Sequence, residues 1–141
     1  MPKEDIFYNK VKAGLVKDGW IISHDPYTLI YGDTRMYIDL GAEKIIGAEK
    51  NGKKIAVEIK SFISPSIIND LHNAIGQYIS YLTVLSVQEP ERQLKLAVTN
   101  LTFQKLISIP ALKLILDRNA IMILIFNSET GDIEQWYPEK K

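Results

Sequence analysis

Residues 36–62 read MYIDLGAEKIIGAEKNGKKIAVEIKSF, and within them two strand-like runs flank Asn51-Gly52. Asn-Gly is the dipeptide that best accepts the positive φ angles of a two-residue type I′ hairpin turn. The second run, Lys54 to Phe62, alternates. Val57 and Ile59 face one way; Ala56, Glu58 and Lys60 face the other. A carboxylate and an ammonium therefore share one face of a strand whose other face is apolar. The first run carries Asp39 between Ile38 and Leu40. An acid on one strand followed by Glu-x-Lys on the next is the skeleton of a metal-dependent phosphodiesterase site.

The rest of the chain bounds this reading. Its 141 residues are expected to form a single domain, residues 1–141, with a proper core. Hydrophobic content of 46% and charged content of 24% argue against disorder. The 17 basic and 17 acidic side chains split evenly, ten of each in residues 1–70 and seven of each in 71–141. Neither half is a basic arm or an acidic tail, which counts against coating nucleic acid by charge alone. With no cysteine there is no disulfide framework and no thiolate metal site, so any metal must be held by oxygen. No window approaches the roughly 18 apolar residues of a membrane span, and the N-terminus lacks an apolar signal core. A soluble cytoplasmic protein with no membrane partner is expected.

Taken in order, Pro2 to Asp18 reads as a helix with an apolar stripe of Ile6, Phe7, Val11, Leu15 and Val16, closed by Gly19. Trp20 to Ser23 reads as a short buried strand and Tyr27 to Tyr31 as another, before a Gly32-Asp33 turn. After the central hairpin, Ser64-Pro65-Ser66 ends the strand and starts a helix over about 66–85. Its core stripe is Ile67, Leu71, Ile75, Tyr78, Leu82 and Leu85. Glu89 to Arg92 reads as a polar loop, and Leu94 to Val98 as a strand. Phe103–Ile107 and Leu112–Asp117 are short helical pieces separated at Pro110. Ile121 to Phe126 is the apolar run of a strand covered on both faces, and Asp132 to Tyr137 adds a last strand. This order predicts an α/β fold, a mixed central sheet covered by helices on both faces.

Hydrolysis of a phosphodiester calls for a hard cation that offsets phosphate charge and lowers the pKa of a water. Mg²⁺ takes carboxylate, carbonyl and water oxygens, usually with only one or two protein carboxylates. Asp39 and Glu58 are the candidates, with the backbone carbonyl of Ile59 as a third ligand. Lys60 is placed to orient the attacking water or to stabilise charge on the phosphate. The competing reading of Glu-x-Lys is a solvated strand face. Turn geometry sets a condition. A two-residue turn at Asn51-Gly52 pairs Ile45 with Glu58 and leaves Asp39 six positions away, roughly 20 Å along an ideal strand. The acids then meet only if the first strand bends, at Gly41 or Gly47. In that register Glu43 lies across from Lys60, making it the fallback ligand, or else a plain ion-pair partner.

The following helix adds Gln77 and Tyr81, four apart and so stacked one above the other, with Asp70 on the same edge. They either reach an active site at the strand ends or form a boundary pair with polar tips in water. Asp5 and Glu4 fit the dipole end of the first helix, and Asp5 is an alternative site acid. His24 next to Asp25 reads as a turn histidine. Lys53, Lys54, Lys60, Arg35 and Lys50 cluster around the hairpin in sequence and suit a phosphate backbone, or simply a soluble turn.

Asp39, Glu58-Ile59-Lys60 and Gln77-xxx-Tyr81 together resemble the PD-(D/E)xK restriction-endonuclease-like superfamily. More narrowly, the KDGW helix end, the HDP turn, YIDLGAE, AVEIKSF and the GQY helix resemble the cyanobacterial XisH-type fdxN-element excision controlling factors, over nearly the whole chain. The resemblance implies a restriction-endonuclease-like mixed central sheet flanked by helices and a link to site-specific excision of a DNA element. It implies Mg²⁺ or Mn²⁺ as cofactor, with Asp39, Glu58 and Lys60 as the site and Gln77 and Tyr81 in support. Implied partners are DNA, an XisI-type protein or recombinase, and a second copy of the chain. The Asp39–Glu58 spacing departs from many members of the wider superfamily by being longer. The alternative is a catalytically inactive nuclease-fold accessory protein that acts by binding, since one fold hosts many functions.

Overall fold

The structure, a computed structural model, describes residues 5–44 and 52–139. Its elements are α1 (Tyr8–Lys17), β1 (Ile21–His24), β2 (Tyr27–Tyr31), β3 (Thr34–Ile38), β4 (Leu40–Lys44), β5 (Lys53–Ile59), α2 (Ile67–Gln88), β6 (Gln93–Thr99), α3 (Asn100–Ser108), α4 (Pro110–Arg118), β7 (Ile123–Phe126) and β8 (Ile133–Tyr137). Six strands form one mixed sheet in the order β1-β4-β5-β6-β7-β8, parallel only across β5-β6-β7. β2 and β3 form a separate two-stranded sheet. Helices cover both faces of the main sheet, as the sequence predicts.

The alternation in β5 sorts the core. Ala56 joins Leu94, Leu96, Val98, Ile123 and Ile125 under α2, α3, α4 and the β2–β3 ribbon. Val57 and Ile59 join Leu40, Ala97, Leu124 and Phe126 under α1. Glu58 lies on the three-helix side, with Ala56. The predicted helix over 66–85 becomes α2, where Ser66 Oγ accepts the Asn69 N–H at 3.2 Å as an N-cap. Ala74 is buried on its core stripe, whereas Leu82 is 39% exposed. Pro110 opens α4, where its missing N–H costs nothing.

Three expectations are corrected. α1 begins at Tyr8, which leaves Ile6 outside it and exposed; Val16 lies within α1 but is also exposed, and only Val11 and Leu15 of the predicted stripe are buried. β1 is an exposed edge strand rather than a buried one, because it pairs only with β4. Most important is the hairpin register. Lys44 pairs with Lys53 and Leu40 with Val57, which a two-residue turn at Asn51-Gly52 does not permit. Asn51 of that turn, with Lys50 and Gly47, lies outside the described residues.

A long-range contact fixes this register. Arg92, read from sequence as part of a polar loop, is only 3% exposed. Its Nη1 donates to Ile55 O at 2.8 Å and to Ala42 O at 3.4 Å, tying two paired residues of β4 and β5 together. Nη2 donates to Glu43 Oε1 at 3.3 Å, and Nε to Glu89 Oε1 at 2.7 Å. The guanidinium also lies 4.8 Å from the Tyr27 ring centroid.

Candidate functional site

Leu40–Val57 pairing puts residue 39 opposite residue 58. β3 ends at Ile38 in the small sheet and β4 begins at Leu40 in the large one. Asp39 is the single residue at the crossing, freed from both ladders. Its carboxylate Oδ2 accepts the Ile59 N–H at 2.8 Å, while its own N–H donates to Glu58 Oε1 at 3.3 Å. The two acids thus converge without the strand bend that the Asn-Gly register required. Lys60 Nζ completes the group, 3.5 Å from Glu58 Oε2.

The electrostatics follow from burial. Glu58 is 8% exposed, and burial followed by the Asp39 charge pushes its carboxyl up to about 8, against the opposing pull of Lys60. Burial also raises Asp39, offset by the Ile59 N–H and Lys60; Asp5 adds to the rise. Asp5 is therefore within electrostatic reach, although it precedes α1 and accepts the Phe7 N–H at 2.9 Å. Tyr81 is pushed up to about 12, first by burial and then by the charges of Glu58 and Asp39, and so remains a donor at neutral pH. Gln77 and Tyr81 line a groove of about 420 Å³ between α2 and β3, together with Met36, Tyr37, Gly76 and Ser80. Asp70 accepts the Ser64 N–H at 3.1 Å and shares a second hollow with Asp5 and Lys60.

Glu43 does not join the site. It opposes Lys54, not Lys60, and its carboxylate meets Arg92. The lysines do not converge either. Lys53 and Lys54 begin β5 while Lys60 follows its end, roughly 20 Å along an ideal strand. Lys54 pairs with Glu89 at 3.5 Å. His24 is the last residue of β1 rather than part of the turn; it contacts Ser23 Oγ at 2.8 Å and packs on Tyr27. Tyr37 and Met36 enter the groove unforeseen. The available signal was spacing, since Tyr37 lies two residues before Asp39.

The buried Glu58 carboxyl gives a signed pH dependence. Folding raises the Glu58 carboxyl from 4.5 to about 8, so the native state binds its proton more tightly than the unfolded chain. The associated stability is fully present below 4.5 and is lost as pH rises to about 8. Thermal melts of metal-free protein across that window, referenced to Glu58→Gln, should show the wild type losing stability relative to the variant. A flat difference would contradict the burial of this carboxyl.

Comparison with known proteins agrees with this architecture. The XisH protein family model matches residues 1–134. A solved XisH family protein from Nostoc punctiforme has a TM-score of 0.84 and 38% identity, covering 94% of this chain and 98% of that one. A fdxN element excision controlling factor protein from Anabaena variabilis has a TM-score of 0.83 and 37% identity, with the same coverage of 94% and 98%. No curated protein matches the chain. Family model and full-length structural likeness together place this chain in the XisH family.

Proposed function

We propose that this XisH family chain is a divalent-metal-dependent DNA endonuclease of the PD-(D/E)xK kind, acting in site-specific excision of a DNA element. The observation that supports the reading is the convergence of Asp39 and Glu58 beside Lys60. The donor set fits Mg²⁺ or Mn²⁺. Burial raises both carboxyls, and the Asp39 charge raises Glu58 further; a dication relieves both, and one or two protein carboxylates suffice for Mg²⁺. Asp39, Glu58 and the Ile59 carbonyl would hold it, and it would supply charge neutralisation and a more acidic water. Lys60 holds the scissile phosphate or orients the attacking water. Tyr81 keeps its proton and donates toward the phosphate, and Gln77 contacts the strand where it lies in the groove. The excision role is carried over from the Anabaena variabilis protein. A homodimer would present two such sites, one for each strand.

Purified protein should nick supercoiled plasmid with Mn²⁺, and Glu58→Ala should abolish nicking while remaining folded by circular dichroism. Equal nicking by the variant would defeat the proposal.

A second reading rests on one specific feature. Among the described residues no group of three or more His, Asp or Glu side chains is arranged to hold a metal, and the two acids already accept hydrogen bonds from Ile59 and Asp39 N–H groups. On this reading the chain is a non-catalytic accessory factor that positions DNA, a recombinase or an XisI-type partner. Excision in cells carrying Glu58→Ala with Lys60→Ala would then persist.

A further inference from the structure

The groove of about 420 Å³ between β3 and α2 is lined by a glycine that packing inside the chain does not explain. Gly76 lies in the interior of the 22-residue helix α2. A glycine there is destabilising relative to alanine. An added Cβ would meet nothing within 4 Å, so none of its described neighbours requires that it be absent. Gly14, in α1, differs: a Cβ there would collide with the Gly131 carbonyl oxygen. Ser80, one turn beyond Gly76, is also small and exposed. Both share the groove with two aromatic rings, Tyr37, which is 41% exposed, and Tyr81. Gln77 is exposed in the same groove and offers an amide donor and acceptor.

Charge narrows what can lie there. From Leu71 to Gln88, α2 carries no Asp, Glu, Lys or Arg. Phosphodiester backbones are held chiefly by cations, and a duplex laid along this helix would find none on it. A nucleobase is uncharged, and its flat face stacks on aromatic side chains. The groove also continues into the carboxylate site. Tyr37 precedes Asp39 by two residues, and Tyr81 lies close enough to Glu58 and Asp39 to feel both charges. Lys60, the cation offered to a phosphate, is on that side, 3.5 Å from Glu58 Oε2.

We propose that this groove receives the base of an unpaired nucleotide next to the scissile phosphate, so that the protein selects single-stranded or locally opened DNA over intact duplex. The base stacks on Tyr37 over the bare helix surface at Gly76, and Gln77 hydrogen-bonds its edge. In a duplex both faces of each base are covered by neighbours, and extruding one carries an unstacking cost that an unpaired base is spared. Placement beside the scissile phosphate rests on the nuclease reading; reception of the base does not.

The test is fluorescence anisotropy of end-labelled DNA with full-length protein in metal-free buffer, comparing an intact duplex with the same duplex carrying a small unpaired bubble. Wild type should prefer the bubble by at least about tenfold, the scale of one stacked base. Gly76→Leu fills the groove with a good helix former and should erase the preference. Tyr37→Ala should erase it as well. Tyr31→Ala removes a 63% exposed ring at the turn end of the same ribbon and should leave it intact. Equal affinity of wild type for the two DNAs overturns the proposal, as does a preference that survives in Gly76→Leu. Nicking is then scored after Mn²⁺ is added. Nicking without a bubble preference refutes the base site and leaves the nuclease reading standing. A preference lost in Gly76→Leu, with no nicking, supports the base site and removes the nuclease reading.

Discussion

Arg92→Met is expected to destabilise the protein by about 3–5 kcal/mol, the usual result of removing one partner from a buried ion pair. The guanidinium links Glu89, Glu43 and the carbonyls of Ala42 and Ile55, and it stacks on Tyr27. Without it, two strand carbonyls lose their buried donor. Glu89 also loses the groups that lower its pKa. Burial alone would raise that carboxyl, but Arg92, the Tyr27 hydroxyl and Lys54 overcome this and hold it at about 2. Arg92→Lys keeps the charge but not the fork, so it should recover only part of the loss. Urea unfolding reads the effect as a lower midpoint at unchanged slope. A loss below about 1 kcal/mol, typical of an exposed pair, would show that the register of β4 on β5 is fixed by something other than this arginine.

Glu58→Gln should act in opposite directions with and without metal. In metal-free protein above pH 8 the variant removes a buried charge that Asp39 repels, so it should melt higher than wild type. With Mn²⁺ the order should reverse. Ligand that binds only the folded state at about 100 times its Kd adds about 2.7 kcal/mol, and the variant should gain little of that. Binding should strengthen as pH rises toward 8, because the cation displaces the Glu58 proton. A Mn²⁺ shift of equal size in both proteins would place the metal elsewhere.

Local signals carried much of the architecture. Ser66 marked the start of α2, Pro110 the break before α4, and the apolar run ending at Phe126 a strand buried on both faces. Alternation in β5 correctly put Glu58 on the face opposite Val57 and Ile59. The register was not legible. Asn-Gly is a local turn preference, whereas Arg92 reaches Ala42 and Ile55 from 50 and 37 residues away. The shift between the two registers is six residues, an even number, so every side chain keeps its face and alternation cannot tell them apart. That is why Asp39 and Glu58 could be named as partners while their approach looked impossible. The division of the first strand at Asp39 was equally hidden, since it depends on β3 pairing with β2 in a sheet of its own. The Trp20–Trp136 pair joins the two ends of the chain, and no spacing rule connects residues so far apart.

The most direct measurement is a crystal of this protein soaked in Mn²⁺, with anomalous data collected at the manganese edge. A single strong peak bounded by Asp39 and Glu58 carboxylate oxygens, at the roughly 2.0–2.2 Å typical of Mg²⁺-like coordination, is the predicted result. Full-occupancy manganese elsewhere, with Glu58 still held against Lys60 and the Asp39 N–H, would contradict it.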